Sequence, residues 1–193
     1  MYKYTTFIQN DTIPTGYPMA GAIVTQGFND KTTNHKGHLG YDLSCSTAKA
    51  LFDGTVVGVV TNNASANGRV VCLEHTIGAC VFYTAYCHLA QVNVSVGDTV
   101  SANTTVGIVG GSGYGSNSHY ATHLHVCAFT GGPSSNPMGY CGGGTKTFEQ
   151  TSVYANAYYY GPDTTQFPGC GGLCFYDPYG VVSSKASVIT TYP

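Results

Sequence analysis

The sequence predicts an all-β fold. Three observations predict it. Gly (26 residues), Thr, Ser, Asn and Val dominate the runs between motifs, a composition that suits short strands and turns and not helices. Short apolar runs recur along the chain, each bounded by turn residues, as in a small sandwich or barrel. No internal repeat of solenoid length is present.

The elements follow in order. Residues 1–20 are polar and Tyr-rich, with Pro14 and Pro18, and are expected to wrap the core as irregular chain or one edge strand. Val56-Val57-Gly58-Val59-Val60 reads as a buried strand, and Asn62 to Gly68 as a turn-rich loop. Arg69 to His75 and Cys80 to His88 read as two strands joined around Ile77-Gly78-Ala79. Val96 to Val100 turns at Gly97-Asp98, and Thr105 to Val109 is another short strand. The glycine-rich run Gly110 to Ser116 reads as a mobile loop, and His123 to Phe129 as a strand. Three regions are expected: a wrapping segment (1–20), a core (21–138) and a Cys-containing, irregular C-terminal extension packed on it (139–193).

Bulk properties exclude several classes. The chain has 193 residues, enough for one core with an appendage. Charged residues make up 8% and the formal net charge is −2, so no basic patch argues for nucleic acid. No apolar run reaches the roughly 18 residues of a membrane span. The start, Met1-Tyr2-Lys3-Tyr4, lacks the basic-then-apolar design of a secretory leader. The expectation is that a leader was removed or that export takes another route, such as phage lysis.

The eight cysteines are Cys45, Cys72, Cys80, Cys87, Cys127, Cys141, Cys170 and Cys174. An even count suggests an oxidising destination and disulfides. Cys170 and Cys174 are the best bridge candidates, and at least one bridge joins extension to core if all eight pair within the chain. For the strand cysteines, bridges and buried thiols both stay open.

Three stretches carry chemistry: His38-Leu39-Gly40-Tyr41-Asp42, Tyr86-Cys87-His88-Leu89 and His123-Leu124-His125. The first offers a neutral nitrogen and an anionic oxygen. The last, on a strand, offers two imidazoles on one face, because side chains alternate at period two. Two histidines and one carboxylate make a three-ligand zinc site with a position left for water, a catalytic pattern and not a structural one.

Around these motifs stand Gly27-Phe28, Asp53-Gly54-Thr55-Val56-Val57, Val96-Gly97-Asp98-Thr99-Val100 and Val106-Gly107-Ile108-Val109-Gly110. With them, residues 20 to 138 resemble the lysostaphin-type zinc metalloendopeptidases, which cut peptidoglycan cross-links. The resemblance implies a compact antiparallel β-sheet core with a groove bounded by loops. It implies one Zn2+ per chain, held by His38, Asp42 and His125. It implies that His88 and His123 are catalytic without holding the metal; which of them is the general base stays open. His35 is the alternative ligand in a shifted register, but the His-x-Gly-x-Asp spacing favours His38.

The implied activity is hydrolysis of peptide bonds in peptidoglycan stem peptides or cross-bridges by a zinc-activated water. The alternative is a non-catalytic wall-binding or hydrolase-activating module on the same fold. Tyr114, Tyr120 and His119 are candidates for substrate contact, since extended peptides are held by backbone hydrogen bonds and aromatic walls. Thr122 stands where the family usually has a proline, and the loop from Gly113 looks longer. The expected protein is a monomer, extracellular or wall-associated, secreted or phage-encoded. The bond cut stays open.

Overall fold

The computed structural model describes residues 12–28, 30, 38–77, 80–130, 158–160, 174–176 and 178–179. The described elements are strands: β1 (Ile23–Gln26), β2 (Tyr41–Ser44), β3 (Thr47–Lys49), β4 (Gly54–Val60), β5 (Arg69–Ile77), β6 (Cys80–Val92), β7 (Thr99–Val100), β8 (Thr105–Val109), β9 (Leu124–Thr130), β10 (Tyr158–Tyr160) and β11 (Cys174–Tyr176). They form one sheet with the path β1-β2-β9-β6-β5-β4-β7; β8 also joins β6 and carries β3. Every pairing is antiparallel except that of β10 with β11. The all-β class expected from composition is therefore the class observed.

Alternation decides which face holds the core. In β2, Tyr41 and Leu43 are fully buried, and in β9 so are Leu124, Val126 and Ala128. Fully burying an aliphatic side chain of this size contributes roughly 1.5–3 kcal/mol. These residues set the register, because a slip by one would turn every one of them outward. Asp42 and His125 lie between them in sequence and therefore project from the opposite face. They are direct partners across β2 and β9.

On the core side, Phe52, Phe82 and His75 pack as a ring cluster with centroids 5.0–5.2 Å apart. The buried His75 donates from Nδ1 to the Asp53 carbonyl (2.9 Å) and accepts at Nε2 from the Thr84 hydroxyl (2.7 Å). His75 is thus a satisfied core residue.

Two stretches differ from the sequence expectation. β6 runs on past His88 to Val92, where its far end pairs with β8. The extension is not wholly irregular: β11 pairs with the end of β9 beyond the stretch paired with β2. Tyr179 is buried edge-on against Tyr41 (5.2 Å) and donates its hydroxyl to the Pro18 carbonyl (3.3 Å). His35, Asn136-Pro137, Cys141, Cys170 and the side chains of Cys80 and Cys174 lie outside the described residues. Cys45 and Cys72 are free thiols.

Gly40 ties the fold to the site by close packing on β9. A Cβ there would sit 2.1 Å from the Val126 carbonyl oxygen and 2.9 Å from the Cys127 Cβ. The missing side chain lets the segment between His38 and Asp42 lie directly on β9. Gly40→Ala is expected to cost about 1–3 kcal/mol, the usual range for overpacking. Thermal unfolding checks this; an unchanged midpoint would mean that the contact with β9 is not tight.

Candidate metal centre

Three side chains meet at one point, Asp42 from β2, His125 from β9 and His38 from the loop before β2. His38 Nε2 lies 3.2 Å from Asp42 Oδ1. His125 Nδ1 lies 2.9 Å from the same oxygen and 3.0 Å from His38 Nε2. Among the described residues these three form the group able to hold a metal ion. Tetrahedral zinc with bonds of about 2.0–2.1 Å places its ligand atoms roughly 3.3 Å apart. The observed triangle is close to that spacing, so the donor set fits a small divalent cation.

The tautomers suit the same purpose. His38 Nδ1 faces the Gly27 carbonyl at 3.1 Å. A carbonyl only accepts, so Nδ1 carries the proton and Nε2 of the neutral ring presents a lone pair. Burial pushes the Asp42 carboxyl upward, but hydrogen bonds and charge from His125 and His38 outweigh it and hold Asp42 well below the usual carboxylate range. Burial pushes His125 down, against the pull of Asp42. The site therefore offers an anionic oxygen at Asp42 and, at His125, a ring whose charged form burial disfavours, which suits a metal.

His88 and His123 stand beside this triangle. Their ring centroids are 4.7 Å apart, and that of His88 is 6.2 Å from His125. His123 Nε2 lies 3.8 Å from Asp42 Oδ2. His123 donates from Nδ1 to the Ala121 carbonyl (2.7 Å) and His88 to the Ser112 carbonyl (3.1 Å). Both rings are thus held with Nε2 as the acceptor nitrogen when neutral. Burial, with His125 and His123 nearby, pushes His88 down to about 3.

Plain alternation would turn His88 into the core, since Tyr86 and Leu89 are both buried there. A β-bulge prevents this. Cys87 and His88 together face one residue of β5, between the pairs Val71–Tyr86 and Arg69–Leu89. His88 takes φ +63°, the left-handed conformation that such a bulge uses. The extra residue carries His88 to the face of His125.

The loop before β9 supplies an aromatic flank. Tyr120 packs on His88 with centroids 4.5 Å apart, His119 packs on Tyr120 at 4.5 Å, and the exposed Tyr114 packs on His119 at 4.8 Å. All three substrate candidates thus form one chain of rings leading to His88. The loop's composition suggested mobility, yet its backbone is tied down. Gly113 and Ser116 exchange hydrogen bonds, and Tyr114 N–H and Gly115 N–H donate to Ser65 and Asn63. The carbonyls of Gly27, Ser112 and Ala121 escaped the sequence reading, because a backbone acceptor has no residue-type signature.

Residues 36–137 match the model of Peptidase family M23, just over half of the chain, and the chain belongs to that family. It is 27% identical over 114 residues to an uncharacterized metalloprotease from Buchnera aphidicola subsp. Baizongia pistaciae (strain Bp), a match covering 56% of this chain and 29% of that relative. The matched region is thus under a third of the relative's length. Among solved structures, the catalytic domain of the antimicrobial peptidase lysostaphin from Staphylococcus simulans is 28% identical, with TM-score 0.45, covering 55% of this chain and 79% of that one. A mutant catalytic domain of the prophage-encoded M23 protein EnpA from Enterococcus faecalis is 22% identical, with TM-score 0.49, covering 61% and 89%.

The buried histidines make a pH prediction for the metal-free protein. The unfolded chain binds protons at histidine below pH 6.5, whereas folded His88 resists until about 3. Between these values the unfolded state holds more protons, so stability rises with pH there and has no such dependence above 6.5. Each histidine of this kind gives a slope of roughly 1.4 kcal/mol per pH unit. Chelated protein unfolded in denaturant at pH 7 and pH 5 should be clearly weaker at pH 5; equal stabilities would mean that these rings are not sealed from water.

Proposed function

We propose that this chain is a zinc-dependent endopeptidase that hydrolyses peptide bonds in bacterial peptidoglycan, in stem peptides or cross-bridges. The observation that carries the reading is the convergence of His38 Nε2, Asp42 Oδ1 and His125 Nδ1 within 3.2 Å of one another, on a face that also bears His88 and His123. Family membership and the metalloprotease name of the Buchnera relative support it. The site of action is outside the cytoplasm, at the cell wall, and the protein acts as a monomer.

His38, Asp42 and His125 hold the ion. When bound, zinc supplies Lewis-acid chemistry, lowering the pKa of a water and polarising a carbonyl. Asp42 contributes the one negative charge of the ligand set, which leaves the ion's net positive charge to do this. His88, neutral and fixed by Ser112, accepts a hydrogen bond from the attacking water at Nε2 and so orients it. His123 takes the proton, because the cation formed there faces Asp42 Oδ2, and returns it to the leaving amine. Tyr120, His119 and Tyr114 line the approach of the peptide.

The test is digestion of purified walls of several cross-link types, with mass analysis of the released fragments. Fragments ending at one peptide bond, formed only with zinc present, are the expected result; walls left intact by zinc-loaded protein would overturn the proposal. His88→Ala should keep its zinc and lose about a hundredfold or more in kcat, in line with the loss of acid–base assistance. Near-normal turnover by that variant would remove His88 from the mechanism.

A further inference from the structure

The ring of His88 is held by a structure of its own, centred on Ser112. Ser112 is fully buried, in a loop that composition marks as open. Its carbonyl accepts the Nδ1–H of His88 at 3.1 Å. Its hydroxyl donates to the Leu89 carbonyl at 2.8 Å and accepts the Arg69 N–H at 3.0 Å. Its own N–H points back to the His88 carbonyl at 3.4 Å, and Gly110 N–H reaches the same oxygen at 3.1 Å. These contacts bridge β5, β6 and the loop at the bulge that turns His88 outward.

Gly68 closes the arrangement from the other side. It has φ +63°, and a Cβ there would lie 2.2 Å from the Ser112 carbonyl oxygen and 2.3 Å from its Oγ. That carbonyl oxygen is the one that holds the His88 proton. The next residue back, Asn67, accepts the His88 N–H at 2.9 Å. Tyr120 covers the ring at 4.5 Å. The imidazole is therefore fixed in place, in rotation and in tautomer.

We propose that Ser112 is a positioning residue for His88: its buried hydroxyl anchors the backbone carbonyl that holds the imidazole in the Nδ1–H tautomer, with Gly68 leaving the room that this requires. The consequence for chemistry is direct. A neutral imidazole with its proton on Nδ1 has a lone pair on Nε2 and can only accept there. Releasing the carbonyl lets the ring rotate or change tautomer, and a ring with Nε2–H no longer accepts a hydrogen bond from water. The catalytic value of this lock rests on the peptidase reading above; the lock itself does not.

The test uses full-length zinc-loaded protein with 15N-labelled histidine. Long-range 1H–15N spectra report which ring nitrogen carries the proton, and comparison with His88→Ala assigns the signals. Wild-type protein should show His88 with Nδ1 protonated and Nε2 bare. Ser112→Ala should show a mixed or inverted pattern. Its kcat should fall about tenfold to a hundredfold with KM and zinc content unchanged, the range typical of groups that orient a functional side chain. Ser112→Thr, which keeps the hydroxyl, should recover the wild-type spectrum. A wild-type His88 protonated at Nε2 overturns the proposal even if no variant folds. So does a Ser112→Ala protein with the wild-type spectrum and full turnover. Wild-type protein that has the expected tautomer but cleaves no wall peptide leaves the lock standing and overturns the peptidase reading instead.

Discussion

A carboxylate held out of water beside two imidazoles is the constraint on which the rest of this molecule depends. Asp42 sits in β2 between two core residues, so strand alternation forces it onto the opposite face. There it is desolvated, which by itself disfavours its charge. The register of β2 with β9 brings His125 directly opposite, and the segment over Gly40 brings His38. The hydrogen bond from His125 Nδ1–H favours the ionised carboxylate. Three donor atoms in a triangle with sides of about 3 Å, one of them a carboxylate oxygen and two of them imidazole nitrogens, leave a place best filled by a cation.

Much of this was legible in the sequence, and the reason is periodicity. His123-Leu124-His125 alternates around a buried Leu124, and Tyr41-Asp42-Leu43 does the same around Asp42. Any strand assignment to those residues exports His125 and Asp42 to the same face. The valine-rich runs that became β4 and β8 were legible for the same reason. What was not legible depends on departures from periodicity. His88 reaches the site only through an extra residue in β6 and a left-handed backbone, and nothing in Tyr86-Cys87-His88-Leu89 announces a bulge. The short strands β10 and β11 and the burial of Tyr179 depend on long-range contacts that a Gly-rich local sequence does not encode.

Backbone carbonyls are the second organising device. Gly27, Ser112 and Ala121 each accept an Nδ1–H, from His38, His88 and His123 in turn. All three come from loops rather than strands, so loops set the tautomers while the strands carry Asp42, His88 and His125. This division gives the loops a task that requires order. Hydrogen bonds tie the glycine-rich loop to the Asn62–Gly68 turn, and its glycines serve close approach as well as turning: a Cβ on Gly111 or Gly113 would meet the Tyr120 carbonyl or the Tyr120 ring. Composition alone reads such a loop as loose, because it cannot distinguish glycine that frees a chain from glycine that lets it pack.

The measurement that bears most directly on the account is a crystal structure of zinc-loaded protein with anomalous data collected on both sides of the zinc edge. The account predicts one strong anomalous peak per chain, at about 2.0–2.2 Å from His38 Nε2, Asp42 Oδ1 and His125 Nδ1, with His88 and His123 outside bonding distance. A peak bound elsewhere, one bonded to His88 or His123 in place of these ligands, or no peak at all at saturating zinc, would contradict it.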